Sequence, residues 1–288
     1  MSESQPRIVV TGATGRVGGL VVRELARRDV LMRLLVRDPS RAPDLPGTEV
    51  VAADYGDPGS LADALHEGDR VFMVSLHEGP ERRVALHRSF VEAAAARRVG
   101  RVVYLSFLNA GPEAVFLHAR SHGATEQMLA DAEIPYTAIR GGMYADDIPG
   151  WFDSDGVATV PGGDGRMSFA LRRELAEAVV LVLTDPRHER TVYTVTTPES
   201  VGMAELARIA SDVTGKTYRY APRTDAEWEA GWRTRGRHEW QIEAGLSSYA
   251  ALRGGEFDVV SDDYRGLTGR EPTPIARVVE EHAGEMPL

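Results

Sequence analysis

The sequence contains no cysteine among its 288 residues, and this absence excludes three kinds of site together. Disulfide bonds, thiolate nucleophiles and cysteine-based metal centres all need the missing side chain. Long apolar runs are also missing, because none approaches the roughly 18–20 residues that cross a bilayer. The first apolar run, Ile8–Val10, leads directly into a glycine-rich turn, which leaves no room for a signal peptide. We therefore expect a cytoplasmic protein without a membrane-spanning segment.

Positive charge is in short supply, with 33 lysine and arginine residues against 43 aspartate and glutamate residues. The resulting net charge of −10 argues against binding to nucleic acids or anionic membranes, because both are polyanions. A hydrophobic content of 43 % and a charged content of 26 % are ordinary for a globular protein. The length is compatible with one or two domains.

Strand-like and helix-like segments alternate through the first 140 residues. The strand-like segments are Arg7–Val10, Leu31–Arg37, Glu49–Asp54, Asp69–Leu76, Arg101–Phe107 and Pro135–Arg140. Helical spacing of apolar residues occurs in Leu20–Arg28, Ser60–Leu65, Ala85–Arg98 and Ala124–Ala132. Six strands alternating with helices predict an α/β fold of the doubly wound Rossmann type, with a parallel sheet covered on both faces. Such sheets bind ligands at the carboxyl ends of their strands.

The alternation breaks after about residue 145. The later pattern predicts a helix over Arg172–Asp185, a strand over Val192–Thr197 and a helix over Met203–Gly215. We therefore expect a Rossmann domain over residues 1–148 and a smaller, mainly helical substrate-side lobe over residues 149–288, with the chain crossing back to the main sheet at least once. Three tryptophans at roughly helical spacing in this lobe are interpreted as packing residues, namely Trp228, Trp232 and Trp240.

A glycine triplet lies between the first strand and the first helix. In its G-x-x-G-x-x-G pattern, Gly12 would permit a tight turn, Gly15 would let the backbone approach a pyrophosphate, and Gly18 would let the helix pack closely. The helix N-terminus then offers N–H donors and a partial positive charge to phosphates. A glycine triplet alone is weak evidence, but its position at the start of a βαβ unit predicts a dinucleotide-binding loop.

The residues after the second strand indicate which dinucleotide is preferred. Arg37 stands where an NAD-binding chain carries a carboxylate, and Arg41 follows one turn later. A guanidinium suits a 2′-phosphate, and one charge-assisted contact is worth roughly 1.5–3 kcal/mol. This favours NADPH over NADH, although Asp38 turning inward, or a simple surface role for the arginines, remains open. Asp54 is a candidate for the adenine amino group or, equally, for a turn or cap.

Several motifs together resemble a known family. They are TGATGRVGG, VRDPSR, the Asp54–Leu65 run, H-x-R-x-H-G-A-T-E and DDYRGLTGREP near the end of the chain. In these motifs the chain is similar to the NmrA-like group of atypical short-chain dehydrogenases/reductases, and to its NAD(P)H:quinone oxidoreductase subgroup. The resemblance runs from about Ile8 to Glu280.

The resemblance implies a nicotinamide cofactor in a cleft between a Rossmann domain and a C-terminal lobe. It implies that Arg37 contacts the 2′-phosphate and that Ser75 and Leu76 lie beside the nicotinamide ribose. The residues that it assigns to the pyrophosphate are Gly12, Thr14, Gly15, Arg16 and Val17. The chain departs from the family pattern around the substrate cleft, at Arg140–Gly142, Asp146 and Leu171–Glu174, so the identity of the substrate does not carry over.

Two histidines occupy the positions where a typical short-chain dehydrogenase has its tyrosine and lysine. His118 and His122 are four residues apart and share a helix face, on which Glu126 also lies and could orient His122. An unperturbed imidazole has a pKa of about 6.5, so either residue is a candidate proton donor. The alternatives are that both are ordinary polar helix residues or, with Glu126, a metal site. We expect no metal, because no cysteine or acidic cluster supports one.

Five further residues are candidates for contact with substrate. Ser106, at a strand end, is a candidate hydrogen-bond donor to a substrate oxygen, or simply a turn residue. His77 follows another strand end and could face the nicotinamide. Flat aromatic side chains after the last sheet strand suit a planar ligand, although core packing is an open alternative, and they are Tyr144, Trp151 and Phe152.

The missing tyrosine and lysine restrict the chemistry. Hydride transfer to a quinone gives a delocalised anion, so a strong proton donor is less necessary than for an aldehyde or a simple ketone. The prediction is an NADPH-dependent reductase of quinones or conjugated aromatic carbonyls, in which we include a tailoring reductase of natural products. The alternative is a catalytically silent dinucleotide sensor that acts through a protein partner. The sequence leaves open whether the C-terminal helices form a lid or the contact of a homodimer.

Overall fold

The chain passes repeatedly between two units in the computed structural model, which describes residues 7–185, 187–188 and 192–288. The first unit consists of the residues up to Ser106 together with Ser121–Arg140 and Arg172–Tyr193. The second unit consists of Phe107–Arg120, Gly141–Leu171 and Thr194–Leu288. The expected boundary at residue 148 falls inside a segment of the second unit.

Strands and helices of the described residues follow one another in the following order. The strands are β1 (Ile8–Thr11), β2 (Met32–Val36), β3 (Thr48–Ala52), β4 (Arg70–Met73), β5 (Arg101–Phe107), β6 (Tyr136–Gly141), β7 (Met143–Tyr144), β8 (Val157–Ala158), β9 (Arg166–Ala170), β10 (Val192–Val195), β11 (Ser200–Gly202) and β12 (Arg219–Tyr220). The helices are α1 (Arg16–Arg27), α2 (Pro58–Ala64), α3 (Pro80–Ala96), α4 (Leu117–Asp131), α5 (Arg172–Thr184), α6 (Met203–Thr214), α7 (Asp225–Thr234), α8 (Glu239–Arg253), α9 (Asp263–Thr268) and α10 (Ile275–Glu281). Of these described helices, none is both long enough and apolar enough to cross a membrane.

The main sheet has the strand order of a doubly wound Rossmann fold. Its order within the described chain is β3-β2-β1-β4-β5-β6-β10. β1 pairs in parallel with β2 on one side and with β4 on the other, through Ile8↔Met32 and Ile8↔Arg70. The strand order therefore reverses between β1 and β4, which is where ligands bind in such sheets. The predicted fold class is confirmed.

Burial explains why these segments form the sheet and its cover. All four residues of β1 and all five of β2 are buried, as expected of strands covered on both faces. α1 buries Val21, Val22 and Leu25 and exposes Arg27, so it has one apolar face. This helix packs against α5 within the first unit. The strand predicted over Asp69–Leu76 ends at Met73, so Ser75 and Leu76 lie in the loop after β4.

The second unit combines small sheets with the C-terminal helices. β9 lies between β11 and β7, antiparallel to β11 and parallel to β7. β12 pairs with β8. Helices α6 and α10 pack together, and the unit's own core includes Ile148, Phe169 and Leu206. A short 3-10 helix over Ala145–Trp151 follows β7 and carries part of the lining of the cavity described below.

Candidate active site

The loop between β1 and α1 has a geometry that only glycine satisfies at two positions. Gly12 has a φ of 65°, a left-handed conformation that side chains with a Cβ rarely adopt. A Cβ added to Gly18 would lie 2.1 Å from the Gly12 carbonyl oxygen, so α1 could not approach the loop. The Gly15 N–H donates to that carbonyl oxygen at 2.8 Å and closes the turn.

The start of α1 has the features of an anion-binding helix end. Gly15 is the N-cap in extended conformation, and no side chain of the described residues caps this helix end. The first turn contains no acidic residue that would repel a phosphate. Four N–H groups at a helix start lack helical partners, and the helix dipole adds positive potential there. The residues present, including Thr14, Arg16 and Val17, therefore fit the phosphates of a dinucleotide.

Arg37 and Arg41 follow β2, and both side chains are exposed. Arg37 forms no ion pair with any described residue. Asp38 is engaged locally, because its Oδ1 accepts from the Ser40 N–H at 3.0 Å and from the Ser40 hydroxyl at 2.7 Å. These hydrogen bonds hold the pKa of Asp38 below its usual value. Asp38 thus caps the 3-10 helix Pro39–Arg41, and both guanidinium groups are accessible to a ligand.

Asp54 lies in a turn beyond β3 and does not end that strand as we expected. Its Oδ1 accepts from the Gly56 N–H at 2.7 Å. Its own N–H is 3.1 Å from the Ser60 hydroxyl oxygen. The structure therefore gives Asp54 the turn role, which was one of the two alternatives, and its adenine contact stays a prediction.

The loop after β4 is held by hydrogen bonds to its neighbours. The Val74 N–H donates to the Thr11 hydroxyl at 2.9 Å, which joins the loop to β1. The Leu76 N–H donates to Nε2 of His87 on α3 at 3.2 Å. The Ser75 hydroxyl oxygen is buried, whereas His77 is exposed. Ser75, Leu76 and His77 thus lie together beyond the carboxyl end of β4, beside β1.

His87 is a buried imidazole whose tautomer follows from its partners. Because Nε2 accepts from Leu76, Nδ1 carries the proton and donates to the Thr125 hydroxyl at 2.8 Å. The Thr125 hydroxyl in turn donates a hydrogen bond to the Ser121 carbonyl oxygen at 2.9 Å. Burial, together with the nearby guanidinium of Arg83, lowers the pKa of His87 to about 3. The ring therefore stays neutral and fixes the loop after β4 to α4.

His122 is held by a tyrosine that the sequence analysis did not single out. Its Nδ1 lies 2.8 Å from the Tyr104 hydroxyl, and His122 is only 8 % exposed. Burial raises the pKa of Tyr104, so this hydroxyl is neutral and acts as a hydrogen-bonding partner. Tyr104 and His87 are polar groups within otherwise apolar or helical runs. A polar residue in such a run is only a weak indication of a functional site, because ordinary packing explains it equally well.

Ser106 belongs to a second polar group in the first unit. Its hydroxyl donates to Glu126 Oε1 at 2.6 Å, and Arg140 contacts the same carboxylate at 2.6 Å and 3.0 Å. Glu126, which we expected to orient His122, is thus engaged by Ser106 and Arg140. Because the Ser106 hydroxyl donates its hydrogen to Glu126, in this arrangement it can only accept a hydrogen bond from a substrate. Its donor role stays a prediction.

His118 has different surroundings from His122, although both lie on α4. The boundary between the two units falls between Arg120 and Ser121, so the histidines belong to different units. The His118 ring lies 5.3 Å from the Phe116 ring and 6.1 Å from the Trp240 ring, centre to centre. It is partly exposed, whereas His122 is buried. Of the two, His118 is the more accessible to a ligand.

A cavity of 560 Å³ lies within the second unit. Trp151 and Phe152, both predicted as substrate contacts, line it, and Tyr144 is not among its lining residues. Trp228 and Trp232 also line it. Both pack within the second unit as predicted, since Trp228 is buried and its ring stacks on that of Trp232. Trp240 packs against His118 instead. Within the described ranges, no group of three or more histidine or acidic residues is arranged to hold a metal ion.

Known proteins resemble this chain over nearly its whole length. Residues 12–186 match the family described as NAD(P)H-binding. Quinone oxidoreductase 2 of Escherichia coli K12 is 31 % identical over 281 residues, covering 94 % of this chain and 97 % of that protein. An NAD(P)H azoreductase of Xenophilus azovorans is 28 % identical, covering 96 % and 98 %. The resemblance to quinone oxidoreductases of the NmrA-like group is confirmed.

One solved structure extends this similarity to three dimensions. The triphenylmethane reductase of Citrobacter sp., complexed with NADP(H), superposes with a TM-score of 0.85 at 30 % identity. The superposition covers 95 % of this chain and 99 % of that protein. The predicted cofactor class, a nicotinamide dinucleotide, agrees with the matched family.

Proposed function

Since this chain belongs to the NAD(P)H-binding family and is an NAD(P)H-dependent oxidoreductase, we propose that it reduces quinones or related conjugated aromatic acceptors with NADPH. The observation that carries the proposal is the uncapped N-terminus of α1 behind a loop that requires Gly12 and Gly18. The named relatives support the acceptor class, because one is a quinone oxidoreductase, one an azoreductase and one a triphenylmethane reductase.

The preference for NADPH rests on the residues after β2. Arg37 and Arg41 are exposed, and the carboxylate between them is engaged by Ser40. A charge-assisted hydrogen bond to the 2′-phosphate is worth roughly 1.5–3 kcal/mol, or about 10- to 100-fold in affinity. NADH lacks that phosphate and would not gain this contact.

The reaction that we propose requires little from a general acid. When bound, the dinucleotide would supply a hydride. A quinone that accepted it would become a hydroquinone anion, which would then take up one proton. Because that anion is delocalised, it forms without a strong proton donor. His118 is partly exposed and is our candidate for delivering this proton. His122 is buried against Tyr104 and would position the first half of α4. The Ser106–Glu126–Arg140 group would keep this region ordered.

The test is stopped-flow measurement of NADPH absorbance with a panel of quinones, alongside fluorescence titration with NADPH and NADH. We expect quinone-dependent oxidation of NADPH and tighter binding of NADPH than of NADH. In Arg37→Ala, NADPH should bind about 10-fold more weakly while NADH binding is unchanged. Tight NADPH binding without oxidation by any quinone would contradict the reductase and favour a sensor.

A further inference from the structure

The cavity in the second unit has an aromatic wall that is already formed. The aromatic side chains among its described lining residues are Trp151, Phe152, Trp228, Trp232, Tyr249 and Phe257. The rings of Trp228 and Trp232 stack with 4.4 Å between their centres, and Tyr249 meets Trp228 edge-on at 5.2 Å. The Arg237 guanidinium lies 5.3 Å from the centre of the Trp232 ring. Trp232 is thus held by two neighbours before any ligand binds.

The charged residues of the lining are unbalanced in sign. They are Arg223, Arg235 and Asp153. Asp153 is engaged in its own turn, because its Oδ1 accepts from the N–H groups of Asp155 at 3.0 Å and Val157 at 2.9 Å. The two arginines are exposed, and neither forms an ion pair with a described residue. The lining therefore includes two solvent-exposed arginines, in a protein whose net charge is −10.

Two nearby arginines that do not line the cavity are engaged in ion pairs. Arg233 on α7 contacts Glu229 at 2.7 Å and Glu239 at 2.6 Å. Arg253 on α8 contacts Asp225 at 2.8 Å. Glu227 is close enough to Arg223 for an electrostatic interaction, but its carboxylate accepts a hydrogen bond from the Thr224 N–H at 2.8 Å and thereby caps α7. The carboxylates of Glu229, Glu239, Asp225 and Glu227 are thus engaged elsewhere, and the guanidinium groups of Arg223 and Arg235 can meet an external anion.

We propose that this cavity binds planar aromatic anions. The ring system would lie against the aromatic wall, and a carboxylate, sulfonate or ionised phenol would face Arg223 and Arg235. Its volume of 560 Å³ falls within the range of about 300–1,000 Å³ that is typical of small-molecule sites. As a binding site this proposal stands alone. As the acceptor class of the enzyme, namely conjugated aromatics with an acidic group, it rests on the proposed function.

The test compares two ligands that differ only in charge, 2-naphthoate and 2-naphthamide, by calorimetric titration of the full chain without dinucleotide. We expect naphthoate to bind at least about 10-fold more tightly than naphthamide. The double variant Arg223→Met, Arg235→Met should lose this preference and keep its naphthamide affinity. Because both side chains are exposed, its folding should be unchanged, which a thermal melt checks.

Two controls separate this site from others. Arg233→Met removes a paired arginine of α7, two residues before Arg235, that does not line the cavity, and it should leave the preference for naphthoate intact. Trp232→Leu should lower the affinity for naphthoate and for naphthamide by a similar factor. Equal affinity for the two ligands, or an unchanged preference in the double variant, would overturn the proposal. Displacement of naphthoate by NADP⁺ would also overturn it, because the anion would then occupy the dinucleotide site.

These titrations do not depend on turnover. If no quinone oxidises NADPH but naphthoate binds as expected, the reductase fails and the anion site stands. If NADPH is oxidised but naphthoate shows no preference over naphthamide, the anion site fails and the reductase stands. If both succeed, sulfonated or carboxylated quinones should have a lower KM than their neutral parents. The double arginine variant should remove that difference in KM.

Discussion

The imidazole of His87 connects three segments of the first unit through two hydrogen bonds. His87 lies on α3. Its ring accepts a hydrogen bond from the Leu76 N–H, in the loop after β4, and donates one to the Thr125 hydroxyl on α4. A protonated ring would lose the first of these bonds, because Nε2 would no longer be an acceptor. The hydrogen bond that ties Leu76, in the loop after β4, to α3 therefore forms only while His87 is neutral.

This arrangement predicts a specific dependence of stability on pH. Burial lowers the pKa of His87 to about 3, against about 6.5 when unfolded, so the unfolded chain binds an extra proton between these values. The stabilisation is complete above about pH 6.5 and is lost as the pH falls, by about 1.4 kcal/mol per unit. His87→Gln, which retains an acceptor for Leu76, should flatten this slope in urea unfolding measured between about pH 6 and 4.

The matched control is His66→Gln, since His66 is exposed. This variant should keep the wild-type slope. Equal slopes for wild type and His87→Gln would show that His87 is not the group whose protonation destabilises the fold.

His118 and His122 should differ in their effect on turnover. His118 is partly exposed beside aromatic rings, and His122 is buried against Tyr104. We expect His118→Gln to lower kcat for quinones about 10-fold and to change the pH profile of kcat. This loss is smaller than is usual for general acids, because the anion is delocalised. In His122→Gln, the free energy of unfolding should fall while the shape of the pH profile is retained. If kcat of His118→Gln equalled that of the wild type at every pH tested, His118 would not be the general acid.

The proposed anion site at the start of α1 depends on the close approach of this helix to its own loop. A Cβ on Gly18 would lie 2.1 Å from the Gly12 carbonyl oxygen, which is backbone and cannot move freely. We expect Gly18→Ala to shift the start of α1 and weaken NADPH binding at least about 10-fold, with a loss of about 1–3 kcal/mol in unfolding free energy. Fluorescence titration and urea unfolding would measure the two effects.

Gly19→Ala is the matched control on the same helix. A Cβ at Gly19 would lie 3.1 Å from Arg23 Nη1, the end of a flexible side chain that can move aside. NADPH affinity should be close to wild type. A similar loss in both variants would indicate a general effect on helix α1 and would contradict the steric argument.

Local sequence pattern was sufficient to predict most elements but not where α4 begins. The pattern predicted a helix over Ala124–Ala132, and the structure has it from Leu117. The N–H groups around the start of α4 donate to side chains that lie far along the chain. The Val115 N–H donates to the Glu256 carboxylate at 2.7 Å, and the Leu117 N–H donates to the Ser247 hydroxyl at 3.2 Å. No window of neighbouring residues contains that information. β5, by contrast, occupies the predicted range, because its apolar run is self-contained.

The same distinction applies to the candidate site. The glycine loop was predictable because its function depends on neighbouring residues in one turn. Tyr104 and His87 were not, because their partners His122 and Thr125 lie 18 and 38 residues further along the chain. The cavity in the second unit was missed for the same reason. Its wall combines Trp151 with Trp228 and Trp232, which only the folded chain brings together.

The whole molecule completes its first unit late in the sequence. α5 belongs to this unit, packs against α1 and buries Leu175, Val179 and Leu183. A fragment that ends at residue 148 lacks α5 and β10 and would expose the apolar face of α1 to water. We expect this fragment to show no cooperative unfolding transition in urea, followed by circular dichroism, whereas the full chain does. A cooperative transition in the fragment would contradict this account.

The alternation of the chain between units also limits how relatives of this protein can be recombined. Five crossings, the first between Ser106 and Phe107, separate the six segments of the two units. A chimera joined at any single point would mix the core residues of two parents within at least one unit. Transfer of the complete second unit to another dinucleotide-binding scaffold therefore requires the simultaneous exchange of Phe107–Arg120, Gly141–Leu171 and Thr194–Leu288.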